Sequence, residues 1–109
     1  MPDLTEKSIS KALRIYQSEQ KGRFGELFSG ESYQKLRPAA VIIPLLEHGN
    51  RWYVLLTRRS EKLLEHRGQV AFPGGAMERE DNDLRTTALR EMHEEIGIDR
   101  EHVIILGEL

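Results

Sequence analysis

Glu91, Glu94 and Glu95 fall within about one helical turn, directly after Arg90. Advancing 100° per residue from Leu84 brings Ala88, Met92, Ile96 and Leu89 into an arc of about 140°, an ordinary buried stripe. Glu91 and Glu95 form an i,i+4 pair at the edge of that stripe, about 40° apart. Glu94 lies further toward solvent, and Arg90 sits four residues before it on the same face. Two like charges at i,i+4 cost roughly 0.2–0.5 kcal/mol in an isolated helix. Half-buried carboxylates that repel one another are relieved by a cation. A bare acidic run is ordinarily a solvated helix face. Here Arg90, Gly97, Ile98 and an upstream Phe72-Pro73-Gly74-Gly75 turn accompany it. Glycines let backbone groups approach a metal or phosphate closely. Carboxylate oxygens favour Mg²⁺, Mn²⁺ or Ca²⁺. Without cysteine, and with four histidines that show no ligand spacing, zinc does not fit.

The segment Arg90-Glu91-Met92-His93-Glu94-Glu95-Ile96-Gly97-Ile98 resembles the second half of the Nudix hydrolase signature, Gly-x5-Glu-x7-Arg-Glu-U-x-Glu-Glu-x-Gly-U, at every fixed position. The first half departs. The expected Glu falls on Asn82, and the spacing from Gly75 to Arg90 is one residue longer. Glu78, Glu80, Asp81 and Asp83 crowd that loop as substitutes. Upstream, Leu55-Leu56-Thr57-Arg58-Arg59-Ser60, Gly68 and Phe72-Pro73-Gly74-Gly75 resemble the added signature of the coenzyme A diphosphatases, with Leu64 standing where that pattern has a second Arg. Arg67 is close enough in sequence to supply a replacement cation.

The resemblance implies an α/β (α+β) Nudix fold, an α/β/α sandwich with a mixed sheet, the signature box spanning 75–98. It implies hydrolysis of a diphosphate bond in a nucleoside diphosphate derivative, with Mg²⁺ or Mn²⁺ as cofactor. The substrate it points to is coenzyme A, giving 4′-phosphopantetheine and adenosine 3′,5′-bisphosphate. Arg90, Glu91 and Glu94 are the expected catalytic set, Arg90 holding a carboxylate in place. Glu91 and Glu95 are the first choice as metal ligands because they share the face at the core edge, with Glu94 third. Arg59, Arg67, Gly74 and Gly75 are the expected substrate contacts, the arginines as a cationic rim able to grip phosphate bidentately. The alternatives are a Nudix hydrolase for ADP-ribose or another nucleotide, and a non-catalytic Nudix-like binding module or inactive fragment.

Elements must position these groups. Asp83 is a good N-cap and Gly97 suits a left-handed C-cap, which predicts a helix from about 83 to 96. Residues 5–19 read as an amphipathic helix with Thr5 as N-cap and Ile9, Ala12, Leu13 and Tyr16 on its apolar side. Residues 20–37 are polar and glycine-dotted, with Phe24, Leu27, Phe28 and Tyr33 as anchors. Ala39–Leu46 is a nearly continuous apolar run, expected as a strand covered on both faces that ends or bulges at Pro44. A turn at 47–50 and a strand from Trp52 to Thr57 complete a hairpin. Residues 58–69 form a basic loop, and Val70–Phe72 a short strand.

With 109 residues, 39% hydrophobic and 31% charged, the chain suits a single small globular domain. Its division is expected as an N-terminal helix and connecting segment, 1–36, and a Nudix portion, 37–109. A net charge of −2 gives no electrostatic reason to expect nucleic acid or membrane partners. The absence of cysteine fits a reducing compartment, and the expected location is cytoplasmic. Val103–Leu109 reads as a strand just begun, so the fold is expected to be incomplete at its C-terminus. Open sheet edges would then favour homo-oligomers.

Overall fold

The computed structural model describes residues 4–20, 36–58 and 68–109. The chain divides into two compact units, one of Met1–Leu36 with Ile104–Leu109, the other of Arg37–Val103. Phe24, Leu27, Phe28 and Tyr33, expected as anchors, lie outside the described residues.

In the first unit, helix α1 spans Glu6–Gln20. Thr5 is its N-cap, as expected: the Ser8 N–H donates to Thr5 Oγ1 at 3.1 Å, and the Thr5 N–H donates to Ser8 Oγ at 2.9 Å. This is a reciprocal capping box with serine in the glutamate position. The C-terminal segment passes close to α1. A Cβ on Gly107 would lie 2.8 Å from the Leu13 Cβ. The expected strand at Val103–Leu109 is corrected here. Val103 is extended (φ −117°, ψ 131°), but the segment has no ladder among the described residues. Apolar content extends a chain; only a hydrogen-bonded neighbour makes it a strand.

Among its described residues the second unit holds six short strands, one α-helix and a short 3₁₀ turn at Arg100–His102. They are β1 (Ala39–Val41), β2 (Leu45–His48), β3 (Arg51–Val54), β4 (Thr57–Arg58), β5 (Val70–Ala71) and β6 (Gly74–Ala76), followed by α2 (Leu84–Ile96). Among the described residues each ladder has two antiparallel strands: β1 with β6, β2 with β3, and β4 with β5. The apolar run from Ala39 therefore feeds two different ladders rather than one strand. Pro44 is the physical reason, since it offers no N–H to continue a ladder. Its carbonyl still accepts from the Leu55 N–H at 3.1 Å, so the break falls on the donor side only. The expected cover on both faces is also absent here, because Val41 is 62% exposed and all of β2 is exposed.

The β2–β3 turn is tighter than the four residues expected. Gly49 and Asn50 have φ of 57° and 63°, the pair of positive values a two-residue type I′ hairpin needs. The strand expected from Trp52 to Thr57 splits, and Thr57 and Arg58 pair instead with Ala71 and Val70.

Helix α2 packs against β6 and β1. Asp83 caps it by accepting from the Thr86 N–H, and Gly97 closes it at φ 72° with its N–H donating to the His93 carbonyl. Both caps lie where the residue types place them. The buried face is Thr87, Ala88 and Met92, while Leu84, expected in the stripe, stands 45% exposed. Pro73, also buried, brings the start of β6 under this helix face.

Candidate active site on helix α2

The site is organised around one guanidinium. Arg90 Nε and Nη2 donate to Asp81 Oδ1 and Oδ2 at 3.1 and 2.9 Å, a two-bond fork. Nη2 also donates to the Ala76 carbonyl at 3.1 Å, tying α2 to the end of β6. Nη1 points the other way. It donates to Glu91 Oε1 at 2.9 Å and to Glu94 Oε2 at 3.3 Å, and lies 3.6 Å from Glu78 Oε1. Five donors in a rigid plane serve four carboxylates and one carbonyl, which a lysine could not do.

Asp81 is the anchor of this network. Its side chain is 3% exposed. Besides the Arg90 fork it accepts from the Glu78 N–H at 2.9 Å and from the Thr87 hydroxyl at 3.0 Å. The Arg90 side chain first, and the Glu78 amide next, hold its carboxyl well below the usual carboxylate range. The reciprocal effect, led by the bond to Asp81, raises Arg90 above its already high value. A depressed carboxylate stabilises the fold above its ordinary pKa near 3.8, and that contribution is lost as pH falls further.

The three signature glutamates are held differently. The Glu91 carboxylate lies against Gly75, where a Cβ would come within 2.6 Å of Oε1. Glu95 Oε2 accepts from the Gly74 N–H at 3.2 Å. Glu94 is half exposed and turned to Arg90. Gly74 answers a separate need, because a Cβ there would meet the Ala40 carbonyl oxygen at 2.5 Å across the β1–β6 ladder. Arg90, Glu91, Glu94, Glu95, Gly74 and Gly75 thus share one surface where β6 meets α2. Among the described residues, however, no three His, Cys, Asp or Glu side chains converge as a ready metal cage. Glu91 and Glu94 are drawn to Arg90, and Glu95 to a backbone amide. Arg59, Leu64 and Arg67 lie outside the described residues, and Arg58 belongs to β4.

Sequence reasoning offered four acids as substitutes for the missing glutamate at Asn82. The loop uses three of them for separate tasks: Asp81 for Arg90, Asp83 for the helix cap, and Glu78 as an outer ion pair. The Thr87 hydroxyl and the Ala76 carbonyl were not foreseen. A fully buried threonine inside an amphipathic helix was the available signal for the first, since its hydroxyl needs a partner.

The NUDIX domain pattern matches residues 35–109, and the chain belongs to this family. It is similar to proteins carrying the name Uncharacterized Nudix hydrolase NudL. That of Pectobacterium atrosepticum is 51% identical over 73 residues, covering 67% of this chain and 38% of the relative. That of Citrobacter koseri is 47% identical over 81 residues, 74% of this chain and 41% of the relative. That of Yersinia enterocolitica is 46% identical over 82 residues, 75% and 40% respectively. The chain spans about two fifths of the length of these relatives. Among the described residues no helix is long and apolar enough to cross a membrane.

Proposed function

We propose that this protein hydrolyses a diphosphate bond in a nucleoside diphosphate derivative, with Mg²⁺ or Mn²⁺. The observation that carries the reading is the Glu91 carboxylate seated in the gap left by Gly75, with Glu94 and Glu95 beside it on α2. The donors are all hard oxygens, which suits either cation. Glu91, Glu94 and Glu95 would hold the metal. When bound, it supplies charge neutralisation for the diphosphate and a more acidic water.

The chain's own residues do the rest. Arg90 Nη1 orients Glu91 and Glu94. Gly74 fixes Glu95 through its N–H. The absence of a side chain at Gly75 leaves the space that the Glu91 carboxylate occupies. Coenzyme A is the substrate we favour. The support is the signature spacing of Leu55, Leu56, Thr57, Arg59, Gly68 and Phe72–Gly75. Arg59 and Arg67 would grip its phosphates. Leu64 in the place of a signature arginine keeps ADP-ribose as the second reading.

The test uses Glu95→Gln in a chain of the relatives' length. We expect hydrolysis of coenzyme A to fall at least about a hundredfold, as for the loss of one strong electrostatic contact in a transition state, with folding retained. Undiminished metal-dependent turnover removes Glu95 from the site. A higher kcat/KM for ADP-ribose than for coenzyme A moves the substrate to the second reading.

A further inference from the structure

Helix α1 has an apolar face wider than the surface that covers it. Advancing about 100° per residue from Leu13, Ile9, Tyr16, Ala12 and Ile15 follow one another through an arc of about 160°. At the Leu13 end, Ile9 and Leu13 are half-buried, and a Cβ on Gly107 would meet the Leu13 Cβ at 2.8 Å. The C-terminal segment therefore lies against this end of the arc. Toward the other end Ala12 is exposed, Tyr16 is 45% exposed and Ile15 is 51% exposed.

The positions next to Ile15 around the helix are cationic. Lys11 lies about 40° beyond Ile15, with Lys7 and Arg14 within about 60° more. All three are exposed, and among the described residues none of them enters an ion pair. They spread over roughly 10 Å of the helix axis on one side. Of the two acids on α1, Glu6 lies near the Leu13 direction in the first turn, and Glu19 falls among the exposed apolar positions in the last turn. The net charge of −2 is a sum over the whole chain and hides this stripe. A row of cations beside uncovered aliphatic and aromatic side chains suits a helix lying in the surface of a bilayer. The lysine and arginine stems can follow the apolar edge while their heads reach phosphate. A nucleic acid strand would take the cations and leave Ile15 uncovered.

We infer that α1 docks this protein reversibly on an anionic phospholipid surface. Lys7, Lys11 and Arg14 meet the phosphates, and Ile15 and Tyr16 enter the headgroup boundary. Each cation near an anionic leaflet contributes about fivefold in affinity, so the three give about a hundredfold. Docking is therefore weak, salt-dependent and confined to anionic lipid. It does not depend on the metal reading above.

The experiment is flotation of the full 109-residue chain with vesicles of equimolar phosphatidylglycerol and phosphatidylcholine. Bound protein rises with the vesicles, whereas self-associated protein sinks. The chain should float with these vesicles and not with pure phosphatidylcholine. Flotation should be lost at about 1 M salt, where the screening length is about 3 Å. Replacing the three cations together, Lys7→Gln, Lys11→Gln and Arg14→Gln, should lower affinity about a hundredfold. Glutamine is nearly as good a helix former as lysine or arginine, so the circular dichroism should not change. Ile15→Ser should cost about fivefold, the share of an aliphatic side chain only half covered. If the triple variant loses its helix, Glu19→Gln reads the same inference in the opposite direction. It removes repulsion from the leaflet and should tighten binding about fivefold. Equal flotation on neutral and anionic vesicles overturns the inference, as does a folded triple variant that floats like the unaltered chain. A chain that ignores vesicles but retards single-stranded RNA through the same three cations also overturns it, and assigns the stripe to a phosphodiester strand.

Discussion

Gly74 and Gly75 are neighbours with different reasons to lack a side chain, and substituting each with alanine separates folding from function. A Cβ on Gly74 would press on backbone, the Ala40 carbonyl oxygen and the Val41 Cα, neither of which can move without opening the β1–β6 ladder. A Cβ on Gly75 would press on the end of the Glu91 side chain, which can swing aside. Gly74→Ala is therefore expected to destabilise the chain by about 1–3 kcal/mol, as overpacking does. Gly75→Ala should leave the melting temperature nearly unchanged and lower Mn²⁺ affinity about tenfold, by displacing one charged ligand. Thermal melts and metal titration of both variants check this. A Gly75→Ala protein with native affinity would mean that the Glu91 position against Gly75 has no bearing on the cation. The sequence alone left Pro73-Gly74-Gly75 open between a plain tight turn and a close backbone approach to a metal or phosphate. It did not show which glycine answers to backbone and which to a carboxylate. That difference arises from the β1–β6 register, with Val41 opposite Gly74 and Ala40 opposite Gly75.

Helix α2 was the most legible element, and its ends explain why. Asp83 and Gly97 act on groups within four residues of themselves, so their residue types nearly determine their roles. Gly97 has no atom within 4 Å of a Cβ built on it, so Gly97→Ala tests the backbone term by itself. The cost should be about 1 kcal/mol, the penalty of a left-handed conformation for an L-residue. Urea unfolding at constant slope measures it, and a loss below a few tenths of a kcal/mol would mean that the helix end relaxes out of that conformation. The strands were less legible because each depends on a distant partner. From Ala39 to Leu46 the sequence shows apolar character and one proline. Only the pairing shows that Ala39–Val41 serves β6 beneath the site while Leu45–His48 serves a separate hairpin. The choice of Asp81 over Glu78, Glu80 and Asp83 is of the same kind. Four acids within six residues are equivalent until the loop's path brings one of them under Arg90 and Thr87.

Over the whole molecule, apolar surface remains uncovered. Val41, Leu46, Val54, Leu56 and Val70 are each about half exposed or more in the second unit, and Ala88 and Met92 are its only buried hydrophobic core residues among those described. Where exposed apolar side chains adjoin one another they mark a contact face or an aggregation hazard. The relatives are more than twice as long as the matched region, so they have further chain with which to cover such a face. We expect the 109-residue chain alone to bind the dye ANS and to self-associate in a concentration-dependent way. A chain extended to the relatives' length should bind little dye, unfold in one cooperative step, and hydrolyse the diphosphate substrate. The short chain should keep weak Mn²⁺ binding, because the Asp81–Arg90 fork and the α2 caps are local to residues 74–97. Turnover should be at least about a hundredfold lower, since preorganised surroundings contribute on that scale. Dye fluorescence, sedimentation and activity are compared at matched Mg²⁺ for the two lengths. A short chain that is monomeric, dye-silent and as fast as the long one would mean that residues 37–103 already form a sufficient catalytic unit, and that the exposed strands need no cover.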